Sequence, residues 1–114
     1  MQDSYYLNRV IRDIIGLAPY IEITRHIPGM VRLKFSLWGL TAARDIDFDA
    51  LVRHIPGLLD TRVKLLSRSI VIDYDPVLIP GDLWEDLDRI KKKPELAVRV
   101  AERLQGLLLR DKIV

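Results

Sequence analysis

With 114 residues, 49% of them hydrophobic, the chain is long enough to bury one ordinary core. Lys and Arg number 18 and Asp and Glu 16, and the resulting net charge of +2 is too small to argue for a nucleic-acid partner by itself. Cysteine is absent, which excludes disulfides, thiolate metal sites, CxxC redox chemistry and cysteine nucleophiles.

Residues 3–17 place Tyr6, Leu7, Val10, Ile11, Ile14 and Ile15 at helical spacing. Asp3 or Ser4 suits the start of this helix, and Gly16 followed by Pro19 its end. Asp3, Arg9, Arg12 and Asp13 interrupt the apolar pattern, so neither a signal peptide nor a membrane span is expected here, and a cytoplasmic protein is the default.

Tyr20–Arg25 alternates as a short strand, and Pro28-Gly29 marks a turn. Val31, Leu33, Phe35 and Leu37 alternate with Arg32, Lys34 and Ser36, which predicts a half-buried strand with a basic outer face. Gly39–Asp45 reads as a loop. Asp45, Asp47 and Asp49 then stand at the positive end of a helix carrying Phe48, Leu51, Val52 and Ile55, and Pro56-Gly57 stops it. Val63 and Leu65 begin another alternation with Arg62 and Lys64 outward, Ser67-Arg68 is a tight turn, and Ile70, Ile72 and Tyr74 make a third strand pattern that ends at Asp75-Pro76. A helix follows over 81–92, with Asp82 as its cap and Leu83, Leu87 and Ile90 inward. Pro94 opens a last helix to about residue 111, with Leu96, Val100, Leu104, Leu107 and Leu108 on one stripe. One phrase occurs twice, His26-Ile27-Pro28-Gly29 and His54-Ile55-Pro56-Gly57, by coincidence or through local turn chemistry.

The core order is strand, helix, strand, strand, helix, which one further strand completes to a split βαβ ferredoxin-like motif. Over about residues 30–92 the chain resembles the heavy-metal-associated domains. Arg32-Leu33-Lys34-Phe35 matches their first strand, and Gly39-Leu40-Thr41-Ala42-Ala43-Arg44-Asp45 stands where they carry GMTCxxC. His54-Ile55-Pro56-Gly57-Leu58 matches their helix-ending turn, and Ser69–Pro76 (SIVIDYDP) their apolar strand and YDP. The phrase from His26 to Leu33 resembles a cysteine-free branch of that family.

The resemblance implies an α+β, ferredoxin-like single domain over 1–114, with core 20–92 and helical additions 3–17 and 94–111. It implies a role in metal transport or homeostasis, beside a metal-transporting ATPase or another membrane protein at the inner face of the membrane. The family's two cysteine positions hold Ala42 and Asp45, and a soft ion such as Cu(I) needs soft sulfur ligands. The loop Gly39, Leu40, Thr41, Ala42 and Asp45 is therefore read as vestigial, with no metal. After Lys93 the chain reads as helix where the family has its fourth strand, so Tyr20–Arg25 is expected to fill that edge, antiparallel to the strand 31–37.

These features point to a non-catalytic interaction or regulatory module. The stripe Leu96, Val100, Leu104, Leu107 and Leu108 must dock on the chain's own sheet, on a twin chain or on another protein, and it is the surface on which an interaction is expected. The alternative is a transition-metal or haem site on His26 and His54, expected at one end of the domain; two histidines alone are incomplete for structural zinc. Asp45-Ile46-Asp47-Phe48-Asp49 imitates a calcium loop, but Ala50 and Pro56 stand where Gly and Glu belong. No nucleophile elbow or phosphate-cradling glycine loop is present, so no enzyme is expected. Arg32, Lys34, Arg62 and Lys64 share the open sheet face, yet the stacking aromatics of an RNA-binding sheet are missing, and nucleic acid is not expected.

Overall fold

The computed structural model describes the backbone of residues 2–113 and the side chains of residues 8–108. Helix α1 (Gln2–Leu17) passes through a 3-10 turn, Ala18–Tyr20, into β1 (Ile21–Ile27). Then come β2 (Met30–Phe35), α2 (Leu37–Ala43), α3 (Phe48–His54), β3 (Leu58–Lys64), β4 (Ser69–Tyr74), α4 (Gly81–Arg89) and α5 (Leu96–Ile113). The strands form one antiparallel sheet in the order β1-β2-β4-β3. The N-terminal strand therefore takes the edge beside β2, with Ile21 opposite Phe35 and Ile23 opposite Leu33, as the sequence predicts.

Period-2 alternation sorts the sheet into two faces. Val31, Leu33, Phe35, Ile70, Ile72 and Tyr74 are buried on the inner face and meet Val10 and Leu17 of α1, Leu83 and Leu87 of α4, and Val100 and Leu104 of α5. The outer face carries the rows Lys34–Ser69–Lys64 and Arg32–Val71–Arg62. Val71 lies on this outer face in register with the two arginines, yet it is buried.

The repeated His-Ile-Pro-Gly phrase marks two real turns. Gly29 and Gly57 have φ of +89° and +95°, the left-handed region that glycine enters without steric cost. The carbonyl of Gly29 accepts from the Tyr74 N–H (3.0 Å) and that of Gly57 from the next N–H, Asp75 (2.7 Å). Two turns distant in sequence thus hold one strand end. A Cβ on Gly57 would lie 2.9 Å from Ile79 and 3.0 Å from Leu78, so close approach as well as φ requires glycine there.

Several elements differ from the sequence reading. Residues 39–45 are not a loop: α2 spans Leu37–Ala43, started by Ser36, whose Oγ accepts from the Gly39 N–H at 3.1 Å. Strand β2 correspondingly ends at Phe35 and β3 at Lys64, leaving Leu37 in a helix and Leu65 in a turn. Asp47 caps α3, accepting from Ala50 N–H at 3.0 Å. Asp82 does not cap α4, whose first position follows Pro80 without a side-chain cap. It binds Arg103 of α5 instead. The side chains of Asp3, Ser4, Tyr6, Leu7 and Leu109–Asp111 lie outside those described.

Of the three places where the α5 stripe could dock, the chain's own core is the one it takes. Val100, Leu104, Leu107 and Leu108 are buried in the chain's own core and Leu96 packs against its edge, so this stripe is not free for a partner. The sheet's inner face is wide enough to need a second helix pair, and α1 with α5 supplies it. Leu104→Ala should therefore lower stability by about 2–5 kcal/mol in urea denaturation, the cost of a core cavity. A variant with unchanged stability would mean that the stripe lies on the surface.

Candidate interaction surface

The two ends of the sheet differ in chemistry. At the end where β1 finishes, polar groups are paired internally. His26 lies on the inner face of β1 with its side chain 14% exposed. Its Nδ1 is 2.9 Å from Glu85 Oε1 and its Nε2 is 2.7 Å from the Tyr74 hydroxyl. A carboxylate only accepts, so Nδ1–H donates to Glu85 and, in the neutral ring, Nε2 accepts from the Tyr74 O–H. Both ring nitrogens are thereby engaged by protein groups.

His54 ends α3, which packs on β3, and its side chain is exposed. The histidines share one end of the domain as expected, but β1 and β3 are opposite edges of the sheet. With strands about 4.8 Å apart, those edges are separated by roughly 14 Å. Among the described residues no group of three or more His, Asp or Glu side chains is placed to hold a metal ion.

An apolar cavity of about 90 Å³ remains between sheet and helices, with Leu33, Phe48, Leu51, Ile72 and Leu104 among its walls. Trp84 lines it, and its indole Nε1 is buried without a protein hydrogen-bond partner.

Ile27, Leu59 and Val77 are exposed at the His26 end, and the opposite end carries a second set of exposed apolar groups. The first turn of α2 presents Leu37 and Trp38, 67% and 77% exposed. The β3–β4 turn presents Leu65, 75% exposed, and Leu66, fully exposed. The two segments adjoin, because the Phe35 N–H donates to the Arg68 carbonyl at 2.7 Å. The segment 39–45 lies here, within α2 and just after it. Thr41, Ala42 and Asp45 are exposed, Leu40 is half-buried, and Gly39 is buried. Gly39 is required by contact, since a Cβ there would lie 2.8 Å from Tyr20 Cβ.

Cations line two grooves at this end, one of them reaching Leu66. A groove between the β3–β4 turn and the outer face of β1 and β2 is lined by Arg25, Arg32, Lys34 and Arg68, with Leu66 at its edge and no carboxylate in its wall. A second groove over the β1 edge joins Lys34 and Arg68 to Arg89, Lys91 and Lys92, together with Glu22 and Asp88. Asp88 is held by Lys91, which also donates to the Ile21 carbonyl at 2.7 Å and so covers the free edge of β1. Arg68 closes the turn, its N–H donating to Leu65 O at 3.1 Å, with φ +51°. A non-glycine residue in that region costs about 1–2 kcal/mol.

The sequence reading found the basic outer face and the α2 segment but missed the apolar turn. Strand alternation assigned Leu65 to the inner face. The signal that finds it is two consecutive leucines immediately before Ser67-Arg68, where turn residues are expected to be polar.

Two consequences can be measured. His26→Ala should cost about 1–3 kcal/mol by leaving the Tyr74 hydroxyl buried without its partner, and adding Tyr74→Phe should recover part of that loss. Simple additivity of the two changes in urea denaturation would contradict the pairing. Asp82 is held below the usual carboxylate range, first by its hydrogen bond to Arg103. Its contribution is present above about pH 4, the ordinary carboxylate pKa, and is lost as pH falls through the lower folded-state value. The carboxylate is 66% exposed, so the effect is small. Arg103→Gln should make the acid-side fall of the urea midpoint less steep; an unchanged slope would contradict the linkage.

No family model matches the chain, and neither does any curated protein or solved structure.

Proposed function

We propose that this chain is a non-catalytic interaction module of ferredoxin-like architecture, associated with metal transport or homeostasis, that docks through the end of the sheet formed by α2 and the β3–β4 turn. One observation carries the reading: Leu37, Trp38, Leu65 and Leu66, four of the ten large apolar residues exposed among the described ones, stand together at that end. Contiguous exposed apolar groups rimmed by polar ones mark interaction sites. The strand order β1-β2-β4-β3 supports a ferredoxin-like reading in which the N-terminal strand takes the place of the family's last one. The resemblance of residues 30–92 to heavy-metal-associated domains supplies the link to metal transport.

The location of the surface supports the same reading. It includes the segment at which that family presents its cargo to partners, so loss of the two cysteines would leave the docking position in place. The surface expected from α5 is consumed by the core, which shifts the proposed contact with a protein partner or a twin chain to the α2 end. Among the described residues no helix is long and apolar enough to cross a membrane, and a membrane partner would be approached from outside the bilayer.

The engaged nitrogens of His26 weigh against the haem or metal alternative. Titration of the metal-free protein with Cu(I), Zn²⁺, Ni²⁺ and haem, followed by tryptophan fluorescence and native mass spectrometry, should show no stoichiometric binding. Micromolar or tighter uptake that His26→Ala and His54→Ala together abolish would overturn the proposal.

A further inference from the structure

Resting on that docking end, the geometry points to its occupant: the surface of an anionic phospholipid bilayer, with Leu65 and Leu66 entering the acyl boundary and a headgroup phosphate held in the groove of Arg25, Arg32, Lys34 and Arg68. Three observations converge.

The first is the shape and exposure of the turn. Leu65 and Leu66 stand at the tip of the β3–β4 hairpin, beyond the last paired residues Lys64 and Ser69. Side chains on a projecting tip suit penetration of a soft interface better than a flat protein contact, where they would need a matching pocket. Trp38, at the same end, is the residue type that favours the headgroup level.

The second is charge. The groove beside Leu66 contains four cations and no carboxylate, so an anionic headgroup placed there meets only attraction. Glu22 stands opposite Lys34, Asp73 on the same outer face is paired with Arg62, and Asp88 is engaged by Lys91. Apolar side chains ringed by Lys and Arg are the composition of interfacial binding. Nucleic acid fits less well, because no aromatic ring lines this groove and leucines at its rim gain nothing from a phosphate backbone.

The third is the conformation of Arg68. Its φ of +51° favours glycine or asparagine, yet arginine stands there, and it is a lining residue of both basic grooves. An unfavourable backbone retained beside a cationic groove is the pattern of a residue kept for binding.

The test uses the whole chain and vesicles of phosphatidylcholine with or without phosphatidylglycerol. Co-sedimentation is expected only with the anionic vesicles, weakening with salt, and Trp38 emission should shift to the blue. Arg68→Gly should raise the urea midpoint while weakening vesicle binding about fivefold, the effect of one cation near the surface. Leu65→Ser with Leu66→Ser should abolish binding at an unchanged urea midpoint. Glycerol 1-phosphate bound as tightly as the bilayer would make the groove a site for soluble phosphate and overturn the lipid assignment. RNA binding that competes with vesicles and survives the leucine changes would overturn it in favour of nucleic acid. Proteoliposomes of phosphatidylcholine holding a metal-transporting ATPase separate the two readings. Leucine-dependent binding to these alone would reject the lipid and keep the docking end; binding to no membrane would reject both.

Discussion

The end of β4 is the point on which the architecture turns. Strand β4 is central, flanked by β2 and β3, and is buried along most of its length. Its last residue, Tyr74, is 2% exposed and is held in three ways: by the ladder, by its N–H to Gly29, and by its hydroxyl to His26. The next N–H, Asp75, goes to Gly57. A buried strand end leaves backbone groups that must find partners or cost about 1–3 kcal/mol each. Two glycine turns in the left-handed region supply those partners, one between β1 and β2 and one after α3. The position of both sheet edges relative to the centre follows from these bonds.

This arrangement makes the domain asymmetric. At the clamped end, His26, Tyr74 and Glu85 satisfy one another, and α4 is fixed against β1. Its polar groups serve the fold. At the other end the sheet runs out into a short helix and a hairpin turn, and neither covers its apolar side chains. The added helices α1 and α5 fill the inner face of the sheet, so the chain completes its core without a partner. The proposed contact is made at the open end, beside the basic outer face. Trp84 is the one inconsistency: its indole N–H is buried without a protein partner, beside a small apolar cavity, and it has no role in the proposed docking.

Much of this was legible in the sequence, and the failures have physical causes. Alternation in 31–35 and 70–74 placed the central strands and their inner faces, because a half-buried strand enforces period 2. The edge position of β1 followed from the Pro28-Gly29 turn, since a hairpin this short joins only antiparallel neighbours. The α2 helix was hidden by Gly39, which usually argues against a helix but here permits close approach to Tyr20. Propensity yields to packing in such a case. The α5 stripe was legible as apolar, but a stripe does not say what it covers, and its burial depended on how much sheet α1 left open. The docking end depended on where β3 stopped: a strand one residue longer would have turned Leu65 inward.

The account rests most on which surface makes contact. Amide hydrogen exchange of the whole chain, with and without anionic vesicles, locates that surface residue by residue. Protection confined to Ser36–Thr41 and Lys64–Ser69, with α5 and the strand end at Tyr74 unchanged, is the predicted result. Protection centred on α5, or on the outer sheet face away from the β3–β4 turn, would contradict it.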